Sequence, residues 1–149
     1  MPVISGNYQN KQGVLVRVII QPILPENSSE EIHRNFALYM ALFDTGASST
    51  CISDKVVAEQ RLDSLGKTPL ISATESKPTD VYTIELGFPL NLTQKEEAGE
   101  IGGEAAFFHD LRVVRFNNER SGFDVLIGRD VIGHGVLNIS CDGHFTFAI

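Results

Sequence analysis

Cysteine is scarce in this chain, and the two present, Cys51 and Cys141, lie far apart with no second Cys or His at metal-ligand spacing from either. That excludes a disulfide framework and a zinc motif, and it reads as two thiols in a reducing compartment. Positive charge is also in short supply. Twelve basic against nineteen acidic residues leave a net charge of −7, a surface that repels phosphate backbones, so nucleic acid is not an expected partner. No apolar run approaches the length needed to cross a bilayer, and the opening Met1 to Asn7 lacks a basic segment followed by an apolar one. No membrane partner and a soluble, cytoplasmic protein are therefore expected. Three sequons, beginning at Asn27, Asn91 and Asn138, are read as chance matches in the absence of a leader.

Other chemistries lack their signatures as well. There is no Gly-x-Ser-x-Gly nucleophile elbow, and Cys51 has no recognisable base beside it, so it reads as a small core residue. The histidines, His33, His109, His134 and His144, share no spacing that would gather a metal. No metal or other cofactor is expected.

At 149 residues with 42% hydrophobic content, the chain suffices for one core and is too short for two full lobes. A single domain over residues 1–149 follows. β-Branched and apolar runs predict strands at Gly13–Ile20, Pro69–Ala73, Val81–Leu86, Ala105–Phe108, Leu111–Phe116, Phe123–Gly128, Val136–Ile139 and His144–Ile149. Phe36–Phe43 is apolar at nearly every position, as in a strand buried on both faces. Ser53 is placed to cap a helix running to Leu65 with Gly66 as its stop. Arg129–Gly133 has room for a further turn or two. The polar stretch Thr74–Asp80 makes the tip of a hairpin, and Thr93–Glu104, rich in Glu and Gly, reads as a solvated loop. No internal repeat appears, and the fold class is all-β with many short strands.

The feature that carries chemistry is Asp44-Thr45-Gly46-Ala47, which leaves the apolar strand and runs into Ser48-Ser49-Thr50. A carboxylate on a tight turn has both oxygens reachable, and glycine lets the backbone approach it closely. The same three residues also make an ordinary turn in which Asp folds back on its own backbone. Context separates the two readings: an apolar strand precedes the turn, and Val125-Leu126-Ile127-Gly128-Arg129-Asp130 follows far downstream. The motif occurs once. Chemistry that needs two carboxylates on one water would have to take the second from another copy of the chain.

This combination resembles the retropepsin-like aspartic peptidases, the family of retroviral proteases and their cellular and bacterial relatives, and the bacterial-type members above all. In them an Asp-Thr/Ser-Gly-Ala loop precedes a flap hairpin and then an apolar-apolar-Gly-Arg-Asn/Asp segment that enters a short helix. The resemblance covers Val14 to Ile149. It implies a closed β-barrel with one short helix after Ile127-Gly128-Arg129-Asp130, assembled as a symmetric dimer. It further implies a homodimeric aspartic endopeptidase acting on peptide or protein substrates. Asp44 would be the catalytic carboxylate, Thr45 would reach across the dimer axis, and Gly46 would offer its backbone to the substrate. Ala47 would sit against the carboxylates, with Ser48 beside it among the substrate-binding residues. Ser72, Ala73 and Thr74 would touch the peptide from a flap spanning Ser72–Thr83. Ile127 and Gly128 would pack behind the loop, Ile127 also counting among the substrate-binding residues. The last strand would lie in an intersubunit sheet; a closing strand of a monomer core is the other reading.

Several departures are visible, among them loops at Pro22–Asn35 and Thr93–Glu104 longer than the compact viral pattern needs. Ser48 stands where many retroviral members carry an acid, so Arg129 is expected to pair elsewhere. The flap tip has Pro78 and charges in place of a glycine pair. A rival function keeps the fold without turnover, a peptide-binding or assembly module that clamps extended chains by strand addition.

Overall fold

A computed structural model describes residues 2–9, 11–23, 37–71, 76–95, 100–117 and 122–149. Ten strands and two short helices are formed by these residues. β1 (Val3–Asn7), β2 (Leu15–Pro22), β3 (Ala37–Phe43) and β4 (Cys51–Ser53) come first, then α1 (Asp54–Glu59), β5 (Gly66–Ile71), β6 (Ser76–Lys95) and β7 (Glu100–Phe116). β8 (Val125–Ile127), α2 (Arg129–Ile132), β9 (Val136–Ile139) and β10 (His144–Ala148) complete the order.

Six strands close on themselves. The larger sheet runs β2-β3-β8-β4-β7-β6, and β6 pairs back to β2 through Ile19↔Gly87 to Pro22↔Ile84, so the ring has no free edge. β5 hangs on β6 outside it. Inside the ring lie side chains with no accessible surface, among them Val18, Ile20, Ile84, Leu86, Phe88 and Val125. A separate three-stranded sheet, β1-β10-β9, covers one end of the barrel. Its Phe145 and Phe147 reach inward to Phe43 at ring-centroid distances of 6.1 and 5.2 Å, and Phe147 also meets Phe88 at 5.6 Å in an edge-to-face contact. These aromatic contacts fasten the small sheet to the strand that delivers Asp44.

β3 differs from its expectation. Tyr39, Ala41 and Phe43 are buried, whereas Leu38, Met40 and Leu42 on the other face are only half covered. A barrel strand needs one face inside, and an apolar run does not reveal that the other is partly open.

Helix α1 begins where expected. Ser53 Oγ accepts the Val56 amide at 3.4 Å, giving the helix its N-cap. It ends earlier than Gly66. Arg61 adopts a left-handed conformation (φ 50°), its amide reaches Ala58 O, and the Leu62 amide reaches Val57 O at 3.1 Å. This is the paired-bond termination usually given to glycine, here taken by Arg61, while Gly66 opens β5. With α2 the described residues hold two helices, one more than the fold resemblance implies.

The β5–β6 hairpin is paired more tightly than a seven-residue tip allows: Ser76 to Asp80 lie in register opposite Ile71 to Lys67. Pro69 faces Pro78, a pairing possible only at a position where opposite residues exchange no hydrogen bonds. The expected loop at Thr93–Glu104 is also largely strand. β6 and β7 pair as far as Lys95↔Glu100, and the two runs before and after His109-Asp110 are one strand. Two residues oppose Glu85 there, forming a bulge with Asp110 at φ 53°.

β10 is central in its sheet, bonded to β1 on one side and β9 on the other. Both ladders come from its own chain, which is the closing-strand reading; an intersubunit ladder would have to use β1 or β9.

Candidate active site

The Asp44 loop is built by crossing two chain segments. β3 places Phe43 in the core, with its amide bonded to Val14 O at 3.0 Å. The next amide, that of Asp44, donates to Ile127 O at the end of β8, 2.9 Å away. β3 and β8 run parallel, Phe43 opposite Ile127, so the two loops leaving them emerge side by side. The Ala47 amide closes the turn onto Asp44 O at 3.2 Å, and the Gly46 amide donates to Asp44 Oδ1 at 2.9 Å. Asp44 is half-buried, and Thr45 and Gly46 are exposed. Among the described residues, Asp44 Oδ2 and the Thr45 hydroxyl have no partner.

The second segment braces the first from behind. Arg129 donates its amide to Ala47 O at 2.9 Å and points Nη1 at Thr45 O, 3.4 Å away. The Arg that lacks an acid at Ser48 therefore holds the backbone of the Asp-Thr-Gly turn. Gly128 has to be glycine. An added Cβ would stand 2.6 Å from Ser49 C and 2.8 Å from Ser49 O, inside van der Waals contact with backbone that cannot swing away. Its amide donates to Thr50 Oγ1 at 3.1 Å, and Thr50 in turn gives its amide and hydroxyl to the two oxygens of Asp130 at 2.9 and 2.8 Å. Thr50 is fully buried.

Thr50 and Asp130 are the residues that sequence reasoning passed over. Asp130 was visible as part of the Gly-Arg-Asp run, but no local pattern ties it to a threonine 80 positions away. Cys51 lies next to this pair, buried, with its thiol pushed up to about 11 by burial and then by the negative charges of Asp130 and Asp44. A thiol so shielded is no nucleophile at neutral pH.

The remaining expected site residues divide. Ala47 is half-buried within the turn and Ser48 is exposed beside it. Ile127, expected among the substrate-binding residues, has no accessible surface; its carbonyl supports Asp44 and its side chain fills the core, so it offers a peptide nothing. Ser72, Ala73 and Thr74 lie outside the described residues, although both strands that would carry a flap, β5 and the start of β6, extend outward with exposed Lys67, Pro69, Ser76, Lys77 and Pro78. No group of His, Cys, Asp and Glu suited to holding a metal occurs among the described residues. His109 pairs with Glu85, His144 with Asp142, and His134 packs edge-on against Phe108.

Comparison with solved structures agrees with this architecture. A retropepsin-like aspartic protease from Rickettsia conorii superposes with a TM-score of 0.58 at 10% identity, covering 97% of this chain and 89% of that one. The fold is retropepsin-like. A retroviral protease-like domain of Ddi1 from Leishmania major also matches, at a TM-score of 0.38 and 14% identity over 86% of this chain and 82% of that one. No protein-family model and no curated protein matches the sequence. Resemblance at such identities lies in the backbone.

Proposed function

We propose that the chain is an aspartic endopeptidase that becomes competent as a homodimer, its catalytic pair being Asp44 and the same residue of a second copy. The observation that carries this reading is the directionality of the Asp44 turn. Its backbone is bonded backward to Ile127 and Arg129, while Asp44 Oδ2 and the Thr45 hydroxyl have no partners among the described residues.

Two carboxylates brought within hydrogen-bond distance cannot both ionise, so they share a proton. The ionised one takes a proton from a water held between them as that water attacks the peptide carbonyl. The protonated one donates to the carbonyl oxygen. Collapse of the tetrahedral intermediate then returns a proton to the leaving amine, and no covalent intermediate forms. Thr45 supplies a hydroxyl for the facing loop, and the Gly46 backbone is open to an extended substrate. The β5–β6 hairpin is the element able to close over that substrate and exclude water.

The test is hydrolysis of a mixed peptide library from acidic to neutral pH, with Asp44→Asn as the control and sedimentation of the same samples. Cleavage by a dimer that disappears in Asp44→Asn is expected. Cleavage that survives the substitution, or a protein that stays monomeric while cleaving, overturns the proposal.

A further inference from the structure

We infer that Asp130 is a positioning residue for Asp44, acting through Thr50 as a strut that requires an ionised carboxylate and not merely a hydrogen-bonding side chain of that length. Three donors converge on Asp130: the Thr50 amide on Oδ2, and the Thr50 hydroxyl and the Val131 amide on Oδ1, the last at 3.0 Å. Gly128 donates its amide to Thr50 Oγ1, which uses one lone pair of that oxygen and leaves the hydroxyl proton for Asp130.

Every contact thus asks Asp130 to accept. A carboxylate is the acceptor-only side chain of this size. Asparagine, which chains of similar motif also carry here, would turn an NH2 toward either the Thr50 amide or the Val131 amide and set donor against donor. Such a mismatch, part-buried, opens the contact.

The strut ends on the loop that matters. Thr50 follows Ser49, whose backbone lies against Gly128, and Gly128 precedes the residue that holds Ala47 O and Thr45 O. Releasing Thr50 from Asp130 loosens the segment that leaves the Asp44 turn, so that its C-terminal side is held by the Arg129 bonds alone, while the Ile127 bond on its N-terminal side is untouched. A carboxylate that must meet its mate across an axis is then delivered imprecisely, and misplacement on the ångström scale carries about a hundredfold rate cost.

The kinetic arm rests on the peptidase reading above; a second arm does not. Asp130→Asn, Thr50→Val, Thr50→Ser and the Asp130→Asn/Thr50→Val double variant are assayed at a concentration where sedimentation gives the wild-type dimer. Asp130→Asn and Thr50→Val are expected to lose at least about tenfold in kcat with KM within about twofold, since only geometry at the reacting atoms changes. Thr50→Ser, which keeps the hydroxyl, stays near wild type. The double variant is no worse than the poorer single one, because both break the same strut. Wild-type kcat in Asp130→Asn, or losses that multiply, overturns the inference. Should Asp130→Asn fail to fold, the Thr50 pair decides.

Amide exchange on the same proteins supplies the independent readout. Exchange in residues 44–51 should quicken about tenfold in Asp130→Asn while the β9–β10 hairpin is unchanged. If wild type cleaves nothing, the peptidase reading falls and exchange alone decides: local loosening upholds the strut, and unchanged or uniformly faster exchange rejects it.

Discussion

Replacing Gly128 by alanine tests whether the crossing of two loops behind Asp44 is as tight as its geometry implies. The added Cβ would fall 2.6 Å from Ser49 C, 2.8 Å from Ser49 O and 3.0 Å from Asp130 Oδ1. Two of these neighbours are backbone, so relief must come from moving one loop against the other. The backbone conformation is not at issue, because φ is −88°, a value any residue adopts. The cost is therefore one of overpacking, about 1–3 kcal/mol. For a chain of this size about 2–4 °C of Tm accompanies each kcal/mol, which places the loss at about 2–12 °C.

Gly122 supplies the control. A Cβ there meets nothing within 4 Å among the described residues, and Gly122→Ala should stay within about 0.5 kcal/mol of wild type. Urea unfolding at one fixed protomer concentration compares the two, since the proposed self-association would make stability depend on concentration. If Asp44 acts as proposed, Gly128→Ala also loses about a hundredfold in kcat through the displaced turn. Equal stability of the two alanine variants would show that the crossing has slack, and the argument from close approach would fail.

Phe147→Ala should destabilise by about 3–5 kcal/mol, because the ring is fully buried and joins the terminal sheet to Phe43 and Phe88; an unfolding midpoint shifted by less than about 1 kcal/mol would mean that the sheet does not need this anchor. The thiols should differ sharply in reactivity: Cys141 is exposed and Cys51 buried, so a thiol reagent at pH 8 should label one equivalent quickly and the second only in denaturant. Alkali should weaken the fold. Cys51 titrates near its ordinary value of 9.0 when unfolded and near about 11 when folded. The unfolded state then loses its proton first, and stability present below pH 9 is lost as the pH rises toward 11. Burial, opposed by the hydrogen bond from Gln60 and reinforced by the Glu59 carboxylate, raises Tyr39 to about 12 in the same sense. Urea midpoints from pH 7 to pH 10.5 should fall, and Cys51→Ala should flatten the fall.

The elements that could be read from sequence are those whose burial follows a local rule. β2 and β8 are β-branched runs inside a ring, and Ser53 is a cap residue in front of an apolar period. Elsewhere the deciding interaction was not local. Residues 91–95 and 100–104, within the segment rich in Glu and Gly, pair because β6 and β7 continue their ladder there, and a ladder of backbone bonds leaves no local signature in the sequence. Arg61 ends α1 because the Leu62 and Arg61 amides find Val57 and Ala58 carbonyls, a geometry that glycine favours but does not monopolise. β1 is a strand because β10 is there to receive it.

The Asp44 turn shows the same division. The turn itself was legible from four residues, and its support was not. An isolated Asp-Thr-Gly turn needs only what it already contains, the Gly46 amide on Asp44 Oδ1 and the Ala47 amide on Asp44 O. Nothing about turning the chain calls for a buried threonine bonded to a carboxylate, or for a glycine pressed on Ser49, or for an arginine spent on two carbonyls. Ordering such groups is opposed by side-chain and backbone entropy, and part-buried polar atoms must all find partners to avoid a further penalty. What the brace achieves is a fixed position for Asp44. A fixed position matters little to a turn facing solvent and a great deal to a carboxylate that must meet another across an axis, which is why the brace argues for the peptidase reading over the clamp. A clamp holding chains by strand addition would draw on the edges of β1, β5 and β9 and would leave the Asp44 loop free to relax.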